Sequence, residues 1–487
     1  MRNPKFLKGS VVMAIMISVL IIPILTFAQP SGLTVLCGSE DTFIYSPDGK
    51  GYLKINSDGK KLLHVEGTPY EMGYQHGYLL AEDVGIMTNE DYFLNLILDM
   101  LIGMDKNEII AKIMELFGDC QVIEDLLECA IIGLKDFLIN LTWSMMKDNF
   151  HYVPEEFMEE MQGVADGATD AGVTTTQKNV LILNMGFDAL LTLGYPIAMI
   201  VTLIPGLATL ISKVTENLHA CNGFILHGEA TVDGRVLLGR DFMFSSYGFH
   251  ETALLIEQVP DSGYSFVSVS YAGFVGATAA MNSKGIGIGC DMVPALDCTP
   301  GDFGMGVLLT CRNVVQYASE LREAVHMINA SKRGVSWLYV LGDGIGEEIG
   351  GAVLETSAHK CVARYSDYEQ PCWSPYRQIE HKVDIVTVTN HFLDPKMNFG
   401  AGSWALDDDS PWRYETMTNL ILDNYGTIDV AKGCELIDFL HPPNYTYYGY
   451  NTSQPVSTSV SLFDLTNLDV YSLFGFYDDP WAFHSLN

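Results

Sequence analysis

Basic residues are scarce in this chain of 487 residues, which has 27 lysines and arginines against 60 aspartates and glutamates. The formal net charge of -33 repels nucleic acids, other polyanions and anionic membranes. We therefore expect no nucleic-acid partner and a globular protein with an acidic, well-solvated surface. The net charge does not describe a pocket, where a few arginines suffice to bind an anionic group.

The ten cysteines lack the spacing of a metal site. No CxxC or CxxH pattern occurs, so we expect neither a metal nor a cofactor. Internal repeats and low-complexity segments are absent as well. Three cysteine pairs have spacings that permit local disulfides in an oxidising compartment, and the sequence leaves their connectivity open: Cys120 with Cys129, Cys290 with Cys298, and Cys361 with Cys372.

The N-terminus has the layout of a secretory signal. Arg2, Lys5 and Lys8 precede an uncharged run that ends in small residues. Cleavage after Ala28 would remove a signal peptide of residues 1–28 and leave a secreted or extracytoplasmic protein. An uncleaved signal anchor is the alternative, because the apolar core 11–27 approaches membrane-spanning length.

The character of the chain changes near residue 221. Residues 29 to about 60 are typical of short strands and turns, and apolar residues recur at helical spacing over 83–147. After residue 221, helical spacing returns over 306–328 and 413–440. Short apolar segments between glycine turns predict strands over 252–259, 265–271, 285–289, 337–341, 352–355 and 383–388. We predict an α+β protein in which a mainly helical segment, 29–220, precedes a β-rich domain, 221–487.

One apolar stretch, residues 190–211, has transmembrane length and no charge. Pro196, Pro205 and Gly206 disfavour a single spanning helix, so we expect a buried or lipid-facing helical hairpin. If exposed, it would contact membranes or acyl chains.

Cys221 opens a predicted hairpin. The runs 223–226 and 236–238 are short and apolar, and Asp233-Gly234 between them favours a tight turn. Such a hairpin places Arg240 beside Cys221, where a guanidinium favours the reactive thiolate. A buried structural cysteine is the alternative interpretation, because free cysteine is among the residue types most often buried.

Five motifs in order give the chain a resemblance to a known family, the autoproteolytic (C45-type) acyltransferases and hydrolases typified by acyl-coenzyme A:6-aminopenicillanic acid acyltransferase. This family is a branch of the N-terminal-nucleophile (Ntn) hydrolases. The resemblance covers most of the chain. Its motifs are residues 66–77, 153–156 with 163–167, 281–287, 389–392 and 410–414, in addition to the segment around Cys221.

The resemblance implies a four-layer αββα Ntn fold and a self-cleaving precursor, cut here between Ala220 and Cys221. The freed α-amino group would then be the base for its own thiol, since an α-amine titrates near pH 8. The family pattern makes Asn390 the candidate oxyanion donor and puts Arg240 and Arg413 near the cysteine, where both favour the thiolate.

Three positions depart from the family pattern. Relatives usually have Asn directly after the first arginine and Asp three residues after it, whereas this chain has Asp241 and Met243. Asp241 is therefore the candidate replacement for the carboxylate that holds the α-amine. The second oxyanion position falls near Asp291, and an ionised carboxylate donates no hydrogen bond.

The favoured hypothesis is an exported, self-processing amidohydrolase or acyltransferase acting on a small N-acyl compound through a Cys221 thioester, with the segment before the cut as its partner. A non-catalytic secreted binding protein on the same scaffold is the first alternative, motivated by Met243 and Asp291. A papain-like cysteine protease that pairs Cys221 with His391 is the second.

Overall fold

The computed structural model describes residues 41–102, 105–117, 121–202, 221–244, 249–366, 382–400, 409–440, 458–474 and 479–487. The predicted signal 1–28, Ala220 and the part of the apolar stretch after residue 202 lie outside these residues.

The described part of the chain before Cys221 is mainly helical, as predicted. It opens with three strands, β1 (Thr42–Tyr45), β2 (Tyr52–Ile55) and β3 (Lys61–Gly67). Seven helices follow: α1 (Pro69–Leu79), α2 (Ala81–Met87), α3 (Glu90–Ile102), α4 (Lys106–Phe117), α5 (Gln121–Lys147), α6 (Glu155–Asp170) and α7 (Gln177–Thr202). The predicted helical region 83–147 thus forms most of four consecutive helices.

The chain from Cys221 onward contains most of the strands, with helices between them along the sequence. The described strands are β4 (Cys221–Gly228), β5 (Gly234–Phe242), β6 (Ala253–Pro260), β7 (Phe266–Tyr271), β8 (Ala279–Asn282), β9 (Ile286–Met292), β10 (Trp337–Asp343), β11 (Gly350–Thr356), β12 (Cys361–Tyr365), β13 (Ile385–Val388), β14 (Ser459–Asp464), β15 (Asp469–Leu473) and β16 (Ala482–Ser485). The helices are α8 (Phe249–Thr252), α9 (Val307–Tyr317), α10 (Leu321–Ala330), α11 (Pro395–Gly400), α12 (Asp409–Asp423) and α13 (Val430–Ile437).

These strands form two sheets. The larger has the order β1-β2-β3-β6-β7-β8-β9-β10-β11-β12, and the smaller has the order β13-β4-β5-β14-β15-β16. Every described pairing is antiparallel except that of β3 with β6, which is parallel. Because β3 precedes Cys221 and β6 follows it, the predicted boundary at residue 221 separates two parts of one continuous sheet.

Helices cover the outer faces of both sheets. β4 and β5 pack against β9 and β10 between the sheets, α9 and α10 pack on the larger sheet, and α12 and α13 pack on the smaller one. This layering confirms the predicted α+β class and the four-layer αββα arrangement.

Helix α1 packs against α6 at very short range. A Cβ atom added to Gly73 or Gly77 would lie 2.0 Å from a backbone oxygen of α6, and one added to Gly163 or Gly167 would lie 2.3 or 2.1 Å from a backbone oxygen of α1. These four glycines belong to the first two sequence motifs, so those motifs include the contact surface of a helix pair.

Helix α7 includes the first half of the apolar stretch and continues through Pro196 to Thr202. Over the residues that the structure describes, no helix combines the length and the apolarity that a membrane span requires.

Candidate active site

The hairpin of β4 and β5 places Cys221 and Arg240 on one face of the smaller sheet. Cys221 pairs with Phe242 and Gly223 pairs with Arg240, so these side chains point toward the larger sheet. The connection spans residues 229–233 and ends at Gly234, whose φ of 79° is one that glycine adopts readily. The sequence predicted this hairpin correctly, although its turn is longer than expected.

The Cys221 sulfur lies in a buried, charged environment. Arg240 Nη2 donates a hydrogen bond to Cys221 Sγ at 3.1 Å and also contacts the carbonyl of Cys290. Arg240 Nε lies 3.0 Å from Asp291 Oδ1, and both side chains are 1% exposed. A Cβ atom at Gly289 would lie 2.9 Å from Arg240 Cδ, so glycine at that position leaves the arginine room between the sheets.

The Cys221 backbone nitrogen is bound by Asn390. It donates to Asn390 Oδ1 at 2.6 Å, while Asn390 Nδ2 donates to the carbonyl of Met292 at 2.7 Å. An amide NH₂ group has two hydrogens, so the second N–H of Asn390 is left for a ligand. The structure thus brings the predicted oxyanion donor to Cys221, where its side-chain oxygen accepts from the backbone nitrogen.

Arg413 reaches the same residue from helix α12. Its Nη1 donates to the Cys221 carbonyl at 2.8 Å and to Asn222 Oδ1 at 2.6 Å, and its Nη2 donates to Asn390 Oδ1 at 2.9 Å. Arg413 is 1% exposed. The predicted proximity to the cysteine therefore takes the form of contacts with backbone and amide oxygens, which orient Cys221 and Asn390.

Asp241 lies opposite Asn222 on the other face of the sheet. Asn222 Nδ2 donates to Asp241 Oδ2 at 2.8 Å and lies 3.5 Å from the Met243 sulfur. The amide of Asn222 thereby connects Asp241 to Arg413. The sequence analysis did not assign Asn222 a role. A polar side chain next to Cys221 in a largely apolar strand could have indicated one.

Burial dominates the ionisation of the thiol. It raises the pKa of Cys221 to about 12; Arg240 lowers this pKa, and the charges of Asp291 and Asp241 raise it. The predicted effect of Arg240 has the right sign but is outweighed. The thiol is therefore protonated at neutral pH and requires a base before it can act as a nucleophile.

Asp291 is a carboxyl group whose ionisation changes close to neutrality. Burial raises the pKa of Asp291 to about 6, against the lowering effect of Arg240 and Arg413. Its Oδ1 makes the ion-pair contact with Arg240 Nε, but neither carboxylate oxygen accepts a well-oriented hydrogen bond within the described part of the chain. Above pH 6 the group is mainly ionised, so it balances the charge of Arg240 and donates no hydrogen bond.

His391 is held away from a role as a base. Its Nδ1 lies 2.8 Å from Ser410 Oγ, and its ring packs edge-on against Tyr414. Burial, followed by the charges of Arg413 and Arg364, lowers the pKa of His391 to about 3. These contacts give no support to a papain-like pairing with Cys221.

The cysteines that the structure describes are free thiols, Cys290 and Cys298 among them, so this local disulfide is not formed. Cys120 and Cys372, the partners in the other two pairs, lie outside the described residues. In the described segments no cluster of three or more histidine, cysteine, aspartate or glutamate side chains is placed to hold a metal ion.

Comparison with known proteins gives a sequence family and a set of solved structures. Residues 242–463 match the family described as acyl-coenzyme A:6-aminopenicillanic acid acyl-transferase. An uncharacterized protein from Archaeoglobus fulgidus is 51% identical over 439 residues, which are 89% of this chain and 67% of that protein.

Two solved structures illustrate the structural matches. The N-acylethanolamine-hydrolyzing acid amidase ortholog of Caenorhabditis elegans is 12% identical with a TM-score of 0.35, over 50% of this chain and 93% of its own. Penicillin V acylase from Agrobacterium tumefaciens is 13% identical with a TM-score of 0.36, over 55% of this chain and 86% of its own.

Proposed function

The chain belongs to the acyl-coenzyme A:6-aminopenicillanic acid acyltransferase family, and we propose that it is an exported, self-processing amidohydrolase or acyltransferase with an N-terminal cysteine. Its substrate is a small N-acyl compound, whose acyl group is held as a thioester on Cys221. One observation carries this proposal: the nitrogen of Cys221 is bound by the partly buried Asn390, and its sulfur is bound by the buried Arg240.

The high pKa of the Cys221 thiol means that the proposed reaction requires a base to remove the thiol proton. Cleavage between Ala220 and Cys221 converts the backbone nitrogen into an α-amine, whose ordinary pKa is near 8. Because Asn390 Oδ1 accepts from this nitrogen, the amine lone pair can be oriented toward its own sulfur. The amine takes the thiol proton, and one residue supplies both nucleophile and base.

Acyl transfer then follows in balanced steps. The Cys221 thiolate attacks the amide carbonyl, and the negative charge on its oxygen is stabilised by the remaining N–H of Asn390. The tetrahedral intermediate collapses, the C–N bond breaks, and the α-ammonium group protonates the leaving amine. Water then cleaves the thioester in hydrolysis, or a second amine attacks it in transfer, and the thiol is regenerated.

The segment before the cut remains a partner of the catalytic domain under this proposal. Three kinds of buried contact support it: the parallel pairing of β3 with β6, the Arg312 Nη2 to Glu160 Oε2 ion pair at 2.9 Å, and the hydrogen bond from Gly273 N to His76 Nε2 at 2.8 Å. Cleavage of one peptide bond breaks none of these contacts.

Export and membrane contact are parts of the proposal that rest on the sequence. A mature chain beginning at residue 29 in the extracytoplasmic fraction would support the signal peptide. If residues 190–211 contact membranes, the protein should co-sediment with liposomes or change its activity in their presence. If neither occurs, the membrane role is wrong.

The first experiment compares the purified wild-type protein with Cys221→Ala by mass and N-terminal sequencing on a denaturing gel. Cys311→Ala is the matched control, because Cys311 is also a buried free thiol but lies on helix α9. Two fragments are expected from the wild type and the control, one of them beginning at Cys221, and an intact chain is expected from Cys221→Ala.

Incubation with N-acyl p-nitroanilides followed by acid quenching adds the mass of one acyl group to the Cys221 fragment. A single intact chain that hydrolyses these amides would overturn the α-amine mechanism. An intact and inactive wild-type chain would favour the secreted binding protein.

A further inference from the structure

Tyr195 is a buried tyrosine whose hydroxyl has no hydrogen-bond partner among the described residues. Its side chain is 2% exposed on helix α7. Burying a hydroxyl without a partner is costly, and most buried tyrosines make such a bond, as Tyr271 does with Ser459 at 3.0 Å. An unpaired hydroxyl in a well-packed region calls for an explanation, and a ligand supplies one.

Helix α7 passes beside the candidate active site. Phe187 contacts the ring of Phe244, with centroids 5.4 Å apart. Phe244 lies two residues after Phe242, which pairs with Cys221. Asp188 accepts a hydrogen bond from Trp337 Nε1 at 2.9 Å on strand β10, which belongs to the larger sheet. Tyr195 lies two helical turns further along the same helix.

Burial keeps the Tyr195 hydroxyl protonated. Burial is the largest effect and raises the pKa of Tyr195 well above its ordinary value, and the charges of Cys298, Asp188 and Cys221 raise it further. The phenol is therefore protonated at any pH at which the protein works. It is a neutral donor on the helix that passes beside Cys221.

The site needs such a donor. A tetrahedral intermediate usually binds more than one N–H or O–H group. Asn390 gives one of its two amide hydrogens to Met292, and Asp291 is mainly ionised above pH 6. These two residues therefore leave only one hydrogen for an oxyanion at neutral pH.

We propose that the Tyr195 hydroxyl donates a hydrogen bond to the carbonyl oxygen of the acyl group of an N-acyl substrate bound at Cys221. The inference rests on the proposed thioester function and adds a substrate-contacting residue to it. Since Tyr195 precedes the cut site, the N-terminal fragment contributes directly to the chemistry of the C-terminal one. Phe187, two helical turns before Tyr195, and its partner Phe244 provide an apolar surface for the acyl chain.

The test is Tyr195→Phe, measured with N-acyl p-nitroanilides. We expect kcat to fall by about 10²-fold, the usual loss for one oxyanion donor, with KM changed by less than about threefold. The melting temperature should equal or exceed that of the wild type, because the variant removes an unpaired buried hydroxyl. Loss of activity with unimpaired stability is a result that a merely structural tyrosine would not give.

Tyr317→Phe is the matched control. Tyr317 donates to Glu156 in the outer helical layer, at 2.8 and 2.7 Å from the two carboxylate oxygens, so its loss should leave kcat unchanged. An active wild type whose Tyr195→Phe variant retains full kcat would overturn the role of Tyr195 alone. A parallel loss of kcat and melting temperature would also overturn it. A wild type that forms no thioester on Cys221 would overturn the proposed function and this inference together.

Discussion

Cys221 has its backbone nitrogen and its sulfur bound by residues from different parts of the chain. Asn390, from the segment after β13, binds the nitrogen, and Arg240, from β5, binds the sulfur. Arg240 in turn is paired with Asp291, a carboxylate that opposes its effect on the thiol. The net result is a protonated thiol, whose nucleophilicity depends on a base and not on a permanently lowered pKa.

The charge balance around the sulfur can be tested with Asp291→Asn. Removing the carboxylate removes a charge that raises the Cys221 pKa, so we expect this pKa to fall. It also leaves Arg240 buried without its counterion, which should cost about 3–5 kcal/mol of unfolding free energy. The pH dependence of Cys221 alkylation by iodoacetamide, followed by mass spectrometry, measures the first effect, and urea unfolding measures the second.

Asp297→Asn is the control for that measurement. Asp297 raises the pKa of Cys298, which lies outside the Arg240 pair, so this variant should shift the alkylation of Cys298 and leave that of Cys221 unchanged. A Cys221 profile that stays in place or moves to higher pH in Asp291→Asn would show that the carboxylate does not act on the sulfur.

At the scale of elements, the pair of helices α1 and α6 attaches the N-terminal segment to the sheet. The four glycines at their contact allow the two backbones to touch, and His76 on the same helix α1 binds the backbone of Gly273 beyond strand β7. The capping box of Thr68 and Glu71 fixes the start of α1 directly after β3. The position of helix α1 is therefore fixed relative to strand β3.

Gly73→Ala tests this contact. The added methyl group would lie 2.0 Å from the backbone oxygen of Glu160, which no side-chain rotation can relieve, so we expect a loss of at least about 2 kcal/mol of unfolding free energy. Gly133→Ala, at an exposed position of helix α5, is the control. No atom lies within 4 Å of its added Cβ, and alanine should stabilise the helix by about 0.5–1 kcal/mol. Urea unfolding of both variants measures the difference, and equal stabilities would contradict the close packing.

The sequence predicted the elements whose signals are local. The β4–β5 hairpin follows from two apolar runs and a turn, and its spacing alone places Arg240 beside Cys221. Asn390 and Arg413 lie 169 and 192 residues from Cys221 along the chain, so no periodicity connects them with it, and only the family resemblance singled them out.

Other parts were missed for physical reasons. The parallel pairing of β3 with β6 joins segments on either side of residue 221, and nothing in either strand encodes its partner. Strand β14 is buried along its whole length and shows no alternation of polar and apolar burial. Tyr195 lies inside the apolar stretch 190–211, for which the sequence predicted a buried or lipid-facing hairpin. Its unpaired hydroxyl is visible only in the three-dimensional structure.

For the molecule as a whole, the N-terminal segment and the catalytic domain share one buried interior. Asn184 binds the backbone of Gly273, Val275 and Gly276, and Asn149 binds that of Phe303 and Gly304. Titratable side chains also lie in this interface, among them His76, which accepts from Gly273, and His64, whose Nδ1 lies 2.8 Å from Glu257 Oε2.

His76 gives a pH dependence with a definite sign. Burial and the charge of Arg312 lower the pKa of His76 to about 4 from 6.5. Its contribution to stability is therefore complete above pH 6.5 and is lost as the pH falls through 4, where protonation removes the acceptor for Gly273. The shift corresponds to at most about 3 kcal/mol.

The measurement is urea unfolding of wild type and His76→Gln between pH 7 and about 4, a range chosen from the two pKa values. Glutamine keeps an acceptor oxygen but does not titrate, so the variant should lose less stability on acidification. Asp188 and Asp291, with pKa values of about 6, act in the opposite direction and lose their contributions as the pH rises, and they are common to both proteins. Identical pH slopes would show that His76 does not control the interface.

The parallel strand pair β3–β6 has a consequence for the life history of the protein. Under the proposed cleavage after Ala220, the precursor keeps the two strands tethered, so they find each other at a high effective concentration during folding. After cleavage the same pairing would have to form between two separate molecules in dilute solution. The mature enzyme would then persist because it unfolds slowly and not because it can refold, so a single unfolding event would end its activity.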